Sequence, residues 1–249
     1  MMTDGIATHE QEIASMAHAF ADEGRVRILM ALQDGRALPA TRLAMEAGVA
    51  PSTASVHLKR LLDAGLLKVV PPPPHHGRHR FFTLASAEVA ELCEAFSAMV
   101  PHAPVRSLQP GTREAAMRAA RTCYDHLAGR LAIALMEALQ EREIIVPHDA
   151  GFAIGSRGEA ELERFGIDVP ALRARKRPLI RHCTDWSEQR PHLSGGLGSA
   201  VLGQIERRDW IVRSPTDRTV TVTDSGRTGF RAWIGLDVDA IDTLTTPVR

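Results

Sequence analysis

The sequence is poor in cysteine and contains no long apolar run. Its three cysteines are far apart and odd in number, which argues against a disulfide framework and favours a reducing compartment. No stretch approaches the roughly 20 apolar residues that a membrane-spanning helix needs. Acidic residues occupy the N-terminal segment, where an export signal would carry positive charge. We therefore expect a cytoplasmic protein that makes no membrane contact.

The chain also lacks a net charge, since 30 lysine and arginine residues balance 30 aspartate and glutamate residues. This balance excludes a protein that is basic throughout, but a local basic surface could still face a nucleic acid. With 249 residues, of which 44% are hydrophobic, the chain is long enough for two globular domains. Three prolines and a glycine at 101–111 predict a linker between a first domain, 1–100, and a second domain, 112–249.

Hydrophobic spacing in the first domain predicts four helices, then two strands and a closing helix. The helices are expected at residues 10–21, 25–33, 39–46, 51–64 and 86–99, and the strands at 66–70 and 80–84. The segment between the strands is rich in proline and histidine and is too long for a tight hairpin turn. This order of elements predicts a winged helix-turn-helix, in which that segment is the tip of the wing.

The predicted helix at residues 51–64 has the two faces that a DNA-recognition helix needs. Its inward apolar stripe consists of Ala54, Leu58, Leu61 and Leu62. The opposite face is small and polar near the helix N-terminus, so the backbone could approach DNA closely and its amides could bind phosphate. Val56 on this face could contact a thymine methyl group. His57 lies at the edge of the stripe, and we interpret it as a packed, hydrogen-bonded histidine rather than a base-reading residue.

A local excess of positive charge accompanies this helix. Residues 49–80 contain five lysine or arginine residues against a single acidic residue, Asp63. Such a patch is typical of a surface that faces phosphates. The residues predicted to contact DNA are Ser52, Thr53, Ser55, Val56, Lys59, Arg60, Arg78 and Arg80.

Residues 52–67, STASVHLKRLLDAGLL, followed by GRHRFFTL at 77–84, resemble the recognition helix and wing of the ArsR/SmtB-type transcriptional regulators. Serine, histidine, lysine, leucine and glycine positions agree in register, and the resemblance spans roughly residues 10–100. The resemblance implies a homodimer formed by the first and last helices of the domain. It also implies binding to double-stranded operator DNA, usually as a repressor that an effector releases.

The metal ligands of that family are missing from the first domain. Metal-sensing members carry cysteines on the third helix, or paired aspartate, histidine and glutamate ligands on the last helix of the domain. Here the third helix has no cysteine, and the last helix offers Cys93 with glutamates but no histidine. We therefore expect that DNA binding needs no cofactor and that any signal enters through the second domain.

The second domain contains an internal repeat with an offset of 66 residues. The matched pairs include His126 with His192, Gly129 with Gly195, and Ile145 with Ile211. We interpret each copy as a helix, a strand, a turn, a returning strand and a helix, which is a winged-helix-like unit. The predicted fold class is therefore mainly α-helical with small β wings. An N-terminal winged helix-turn-helix is followed by a C-terminal domain of two winged-helix-like repeats.

Two parallel stretches, CYDHLAG at 123–129 and CTDWSEQRPHLSG at 183–195, concentrate unusual residues at what we interpret as corresponding helix starts. The candidate effector-binding residues are Cys123, His126, Cys183, Asp185, Trp186 and His192. If the two copies pack together, a soft or borderline metal ion could be bound by Cys123, Asp125 and His126 of the first copy with Cys183, Asp185 and His192 of the second, or the cysteines could form a thiol-redox site. Tyr124 and Trp186 could instead line an organic pocket. In a third interpretation, the cysteines are buried apolar residues, the aspartates cap helices and the histidines bind backbone carbonyls.

An enzyme is the alternative class, and its glycine-rich candidate is GGLGSA at 195–200. We expect no strand before this segment and find no acidic residue at the distance that a dinucleotide site requires. Helix packing explains the glycines better, and no catalytic triad order or paired-carboxylate site stands out. The sequence therefore predicts a DNA-binding repressor with an effector site in the second domain, rather than a small-molecule-binding or thiol- or metal-dependent enzyme.

Overall fold

The computed structural model describes residues 4–72, 80–100, 112–149 and 151–243. The chain forms two compact units, an N-terminal unit that ends at Cys93 and a C-terminal unit that begins at Glu94. The predicted linker at 101–111 and residues 73–79 of the predicted wing tip lie outside the described residues. In the described parts of the chain, no helix combines the length and the apolar character needed to span a bilayer.

The N-terminal unit is a winged helix-turn-helix. Its elements are α1 (Asp4–Phe20), α2 (Glu23–Ala31), β1 (Leu38–Pro39), α3 (Ala40–Ala47), α4 (Pro51–Asp63), β2 (Leu67–Val70), β3 (Phe81–Leu84) and α5 (Ala87–Met99), the last of which continues into the C-terminal unit. The strands form one antiparallel sheet in the order β1-β3-β2. The predicted fold class, mainly helical with small β wings, is confirmed. The two-residue strand β1 was not predicted, because it is too short to show a hydrophobic pattern.

Gly48 and Pro51 build the sharp turn between α3 and α4. Gly48 has a φ of +68°, and its amide donates to the Met45 carbonyl oxygen at 3.1 Å, which ends α3. Pro51 lies in the first turn of α4, where its missing N–H removes no helical hydrogen bond. The turn lets α2, α3 and α4 pack together around buried leucines. These leucines are Leu29, Leu43, Leu58 and Leu61.

The C-terminal unit consists of two halves with the same order of elements after a leading helix. The elements are α6 (Thr112–Ala119), β4 (Arg121–Cys123), β5 (His126–Ala128), α7 (Arg130–Glu141), β6 (Ile145–His148), β7 (Gly151–Ile154), α8 (Gly158–Arg164), α9 (Val169–Arg173), β8 (Arg181–Thr184), β9 (Pro191–Ser194), α10 (Gly195–Arg207), β10 (Ile211–Arg213), β11 (Val220–Val222), α11 (Asp224–Ile234) and a short 3-10 helix, Val238–Thr243. Each half is a hairpin, a helix, a second hairpin and a second helix. The first half runs from β4 to α8, and the second from β8 to α11.

The first hairpin of each half corrects the sequence interpretation. The predicted repeats begin with a helix, but His126 lies on β5 and His192 on β9, ahead of α7 and α10. Strand β9 also ends directly before α10, so the expectation that no strand precedes residues 195–200 is wrong. These strands have only three or four residues, too few to show the alternation by which strands are recognised.

The two halves of the C-terminal unit exchange contacts and share one core. Helix α7 packs against β9, α10 packs against β5, and β5 lies beside β9. The apolar faces of both helices contribute buried residues to this core. They include Leu131, Leu135, Leu197 and Val201. Because burial of these faces is favourable, it holds the first hairpins of the two halves side by side.

Candidate nucleic-acid interface and buried Cys/His cluster

Helix α4 presents a polar face to solvent and an apolar face to the core. Ala54, Leu58 and Leu61 are buried, whereas every residue of this helix that the sequence predicts to contact DNA is exposed. The exposed residues are Ser52, Thr53, Ser55, Val56, Lys59 and Arg60. The outer face therefore offers hydroxyl groups, one apolar side chain and two cations.

Two hydrogen bonds on this face connect residues one helical turn apart. Ser55 Oγ donates to the Pro51 carbonyl oxygen at 2.9 Å, which leaves the serine oxygen able to accept a further bond. Lys59 Nζ donates to Asp63 Oδ2 at 2.7 Å. Both partners of that ion pair are exposed, so water weakens the attraction between them. A phosphate can therefore replace Asp63 as the partner of Lys59.

The first turn of α4 has no side-chain cap. The residue before the helix is Ala50, whose methyl group cannot accept a hydrogen bond from the amides of the first turn. Amides at a helix N-terminus, together with the helix dipole, favour an anion. The same end of α4 carries the small side chains of Ser52 and Thr53, which permit close approach of a phosphate.

The wing contributes Arg80. This residue is exposed, and its guanidinium carbon lies 5.4 Å from the centre of the Phe82 ring. Phe82 is buried in the sheet, so the contact restrains the arginine. Arg78, the other wing residue predicted to contact DNA, lies outside the described residues.

His57 does not share the exposed face of α4. It is 8% exposed, and its Nε2 lies 3.6 Å from Asp22 Oδ1. Asp22 is the N-cap of α2 and accepts a hydrogen bond from the Arg25 amide at 2.9 Å, which is the main cause that lowers the pKa of Asp22. His57 thus packs beside the start of α2, as expected. The expected hydrogen bonding is not seen, because its buried Nδ1 has no hydrogen-bond partner among the described residues.

Two cysteines and two histidines meet at the hairpins β4-β5 and β8-β9. Cys123 faces His126 across the first hairpin, and Cys183 faces His192 across the second. All four residues are buried, and their ligand atoms, sulfur or imidazole nitrogen, all lie within 4.8 Å of one another. The two imidazole ring centres are 5.1 Å apart. We call these four residues the Cys/His cluster.

Different loops close the two hairpins. A two-residue turn at 124–125 joins β4 to β5, and Tyr124 adopts a φ of +56° there. A longer loop at 185–190 joins β8 to β9 and is closed by a hydrogen bond from the Asp185 amide to the Arg190 carbonyl oxygen at 2.8 Å. Directly opposed residues of an antiparallel pair point to the same face of the hairpin. Each hairpin therefore brings a thiol and an imidazole together despite its different loop.

Glycines turn each hairpin into the helix that follows. Gly129 and Gly195 have φ values of +83° and +79°. A Cβ atom would lie 2.8 Å from the Arg118 carbonyl oxygen at the first position and 2.9 Å from the Arg181 amide nitrogen at the second. Both positions therefore require glycine. This strand-to-helix turn, rather than packing within a helix, explains the paired glycines of the repeat.

Asp185 and Trp186 surround Arg121 rather than join the Cys/His cluster. Asp185 Oδ2 accepts hydrogen bonds from Arg121 Nη2 at 2.8 Å and from the Gly129 amide at 2.6 Å. Its Oδ1 accepts from the Ser187 amide at 2.9 Å and from the Ser187 hydroxyl at 2.7 Å. The Trp186 ring centre lies 4.7 Å from Arg121 Cζ. Both carboxylate oxygens are thus engaged, and Asp185 links the loop at 185–190 to the first half of the unit.

Sequence reasoning missed Arg121. The side chains of Arg121 and Asp185 are both 0% exposed. Burial alone would raise the pKa of Asp185, but the positive charge of Arg121 lowers it to about 2. One signal was available, because Arg121 lies two residues before Cys123 and alternation puts both on one face of a strand. The sequence interpretation placed residues 123–129 at a helix start, where residues two apart do not share a face, so Arg121 was not grouped with Cys123.

The imidazoles of the Cys/His cluster lack hydrogen-bond partners. Within the described residues, no nitrogen of His126 or His192 makes a hydrogen bond, although all are buried. The interpretation that these histidines bind backbone carbonyls is therefore wrong. His126 Nδ1 lies 3.5 Å from Asp125 Oδ1, and Arg177 Nη2 donates to the same oxygen at 3.0 Å, while Arg177 Nη1 donates to Asp125 Oδ2. Buried polar atoms without partners are rare in folded proteins, so these nitrogens require an explanation.

The thiols of the cluster are equally unusual. A hydrogen bond with Cys183 and burial raise the pKa of the Cys123 thiol well above its usual range. Neither cysteine forms a disulfide. The arrangement can act in two ways chemically, since four donors can bind a metal ion and two neighbouring thiols can be oxidised to a disulfide. The alternative of an organic pocket lined by Tyr124 and Trp186 stays a prediction.

Comparisons with known proteins place this architecture among transcriptional regulators. Residues 22–69 match the family described as bacterial regulatory protein, arsR family. The chain is similar to the uncharacterized HTH-type transcriptional regulator YdfF of Bacillus subtilis strain 168, with 36% identity over 226 residues, 91% of this chain and 98% of that protein. Among solved structures, it is similar to the homodimeric winged helix-turn-helix DNA-binding domain of Mb0332 from Mycobacterium bovis, at 24% identity and a TM-score of 0.35, over 42% of this chain and 96% of that one. Reduced HlyU from Vibrio cholerae matches at 24% identity and a TM-score of 0.34, over 39% of this chain and 98% of that one.

Proposed function

This chain belongs to the ArsR family of HTH-type, DNA-binding transcriptional regulators, and we propose that it is a homodimeric repressor that leaves its operator when an effector binds the C-terminal unit. The observation that carries the proposal is the outer face of α4, where every residue of the helix predicted to contact DNA is exposed. The family argues for regulation as the activity of the chain and against the alternative of an enzyme.

The predicted DNA contacts divide into two kinds. Lys59, Arg60 and the wing arginines bind phosphates, which supplies affinity but carries no sequence information. The outward-facing residues at the start of α4 approach the base edges and supply the choice of site, namely Ser52, Thr53, Ser55 and Val56. Their exposure and the uncapped first turn of α4 support this division.

A homodimer accounts for the apolar residues that α1 and α5 expose. On α1, Ile13 is 56% exposed and Met16 40%; on α5, Phe96 is 43% exposed and Met99 80%. Apolar side chains that a helix exposes are available for a contact with another protein. The resemblance to ArsR-type regulators implies dimerisation through these same two helices. A dimer presents two copies of α4, which suits two half-sites about one helical turn of DNA apart.

The effector is assigned to the C-terminal unit by exclusion. Helices α3 and α5 lack the metal ligands of the metal-sensing family members. An effector can shift the DNA-binding equilibrium only if it binds two states of the protein with different affinities. The two halves of the C-terminal unit meet at the hairpins that carry the candidate residues, and this shared interface supports a ligand-dependent change there.

Replacing Lys59 and Arg60 together by alanine is expected to weaken binding to every DNA sequence. The slope of log affinity against log salt should fall by about 2, because each cation accounts for about one phosphate contact. The measurement is a fluorescence-anisotropy titration across a salt series, with a duplex that the parent protein selects from a random pool and with an unselected duplex.

The matched control for this variant is Arg175→Ala with Lys176→Ala. These adjacent residues are also an exposed arginine and lysine, but they lie in the C-terminal unit, and the change in net charge is the same. The control should keep the salt slope of the parent. If both double variants change the slope equally, or if neither does, α4 is not the phosphate-facing surface.

As a repressor, the protein is expected to lower transcription from a promoter that contains the selected duplex sequence. The measurement is transcription in vitro with purified RNA polymerase and increasing amounts of protein. The Lys59→Ala, Arg60→Ala variant serves as the control and should leave the transcript level unchanged at the same concentration. A rise in transcript with the parent protein would assign an activator instead.

A further inference from the structure

We propose that the Cys/His cluster is a binding site for a divalent zinc-class metal ion, held in tetrahedral coordination by two thiolates and two imidazoles of the C-terminal unit. The site goes beyond the proposed function and stands independently of it, because an ion can bind there whether or not it changes the affinity for DNA.

The donor set and its geometry carry the inference. Two sulfur and two nitrogen donors in a tetrahedron are typical of zinc sites in proteins. Zinc-to-sulfur distances of about 2.3 Å and zinc-to-nitrogen distances of about 2.0 Å place tetrahedral donors about 3.3–3.8 Å apart. The donors of the cluster already lie within 4.8 Å of one another, so an ion needs to draw any two of them together by about 1.5 Å at most.

The charge of the site favours a divalent ion. Binding releases the thiol protons of Cys123 and Cys183 to solvent, and the two thiolates then balance the two positive charges of the ion. The imidazoles bind as neutral ligands. A complex without net charge suits this location, since all four residues are buried and an unbalanced charge there would be costly.

The unpaired imidazole nitrogens provide an independent observation that points to a ligand. His192 is 0% exposed and His126 is 3% exposed, yet none of their nitrogens has a hydrogen-bond partner among the described residues. A metal ion supplies the missing partner for one nitrogen of each ring. The Asp125 carboxylate beside His126 Nδ1 fits the usual carboxylate contact to the second nitrogen of a metal-bound histidine, which leaves Nε2 for the ion.

The ion would join two parts of the chain that are far apart in sequence. One cysteine and one histidine come from the hairpin β4-β5 and the other pair from β8-β9, so each half of the unit supplies half of the ligands. The site is therefore distinct from ligands placed on α3 or α5. Its occupancy depends on how the two halves are packed.

The experiment is an anaerobic Co²⁺ titration of the full-length, reduced, metal-free chain. We expect one equivalent of Co²⁺ per chain to produce the ligand-field absorption of tetrahedral cobalt and a thiolate-to-cobalt charge-transfer band, and Zn²⁺ to abolish both by displacement. Cys123→Ser with Cys183→Ser should lose both signals completely. The controls are Cys93→Ser, the third cysteine, and His182→Asn, whose exposed side chain lies on the opposite face of β8 from Cys183; both should keep the parent spectrum.

A variant that retains four donors separates loss of the site from loss of the fold. His192→Cys should still bind one equivalent of Co²⁺, with a stronger charge-transfer band because a third thiolate is added. No tetrahedral spectrum in the parent, an unchanged spectrum in the double cysteine variant, or no strengthening in His192→Cys would each overturn the metal site.

A separate measurement of DNA affinity distinguishes failure of the metal site from failure of the proposed function. The affinity for the selected duplex is measured with metal-free and with Zn²⁺-loaded protein. A Zn²⁺-dependent fall in affinity that disappears in Cys123→Ser with Cys183→Ser would make the ion the effector. Equal affinities together with a positive Co²⁺ titration would leave the metal site standing and remove the ion from the control of DNA binding.

Discussion

Asp185→Asn is expected to destabilise the C-terminal unit by about 3–5 kcal/mol, because the substitution leaves a buried arginine without its carboxylate. The side chains of Arg121 and Asp185 are both fully buried and 2.8 Å apart. The same carboxylate accepts hydrogen bonds from the Gly129 amide, from the amide and hydroxyl of Ser187 and from the Glu188 amide, so donors from both halves of the unit share its charge. An asparagine keeps the size of the side chain but cannot balance the guanidinium.

Urea unfolding followed by tryptophan fluorescence isolates this effect. The three tryptophans of the chain, Trp186, Trp210 and Trp233, all lie in the C-terminal unit, so the signal reports on that unit alone. The matched control is Asp237→Asn, which removes the carboxylate of a 2.9 Å pair with Arg231 whose side chains are more than half exposed. Exposed pairs contribute little to stability, so the control should unfold near the parent midpoint. An Asp185→Asn midpoint that equals that of the control would show that Arg121 does not depend on this carboxylate.

The N-terminal unit could be predicted from sequence because its signals are local. Helix α4 is long enough to repeat its apolar stripe over several turns, and Gly48 and Pro51 mark the boundaries of the preceding turn. The exposed residues of α4 follow from the same periodicity, since a helix with one buried face exposes the other. Even the burial of His57 follows from its position beside the stripe.

In the C-terminal unit, the short strands and the contacts between the two halves could not be predicted from local sequence patterns. The repeat is visible in the sequence, but β4, β5, β8 and β9 are too short for a period to distinguish them from helix starts. The contact between Cys123 and Cys183 depends on α7 packing on β9 and α10 packing on β5, which no local pattern encodes. Asp185 was selected with the cysteines and histidines because it stands near them in sequence. Its actual partner, Arg121, is 64 residues away, and only the tertiary structure brings the two together.

Phe96→Asp is expected to convert the proposed dimer into monomers and to weaken binding to the selected duplex by about 10²–10⁴-fold. Phe96 is 43% exposed in the single chain, so an aspartate there is hydrated in a monomer but would lose water and find no matching charge in an apolar dimer interface. A monomer binds one half-site at a time. It therefore lacks the gain in affinity that a dimer obtains when its two linked DNA-binding domains occupy both half-sites. Analytical ultracentrifugation at micromolar concentration measures the oligomeric state, and anisotropy on the selected duplex measures the affinity.

The control for Phe96→Asp is Val212→Asp, since Val212 is also an exposed apolar residue, at 59%, but lies on β10 of the C-terminal unit. Both substitutions add one negative charge, so any general repulsion from DNA is the same in the two variants. Val212→Asp should therefore remain dimeric and lose much less affinity than Phe96→Asp. A monomeric parent, or a Phe96→Asp variant that sediments as a dimer, would place the dimer contact away from this part of α5. If Phe96→Asp is monomeric yet binds the duplex like the parent, a single copy of α4 and its wing is sufficient for operator recognition.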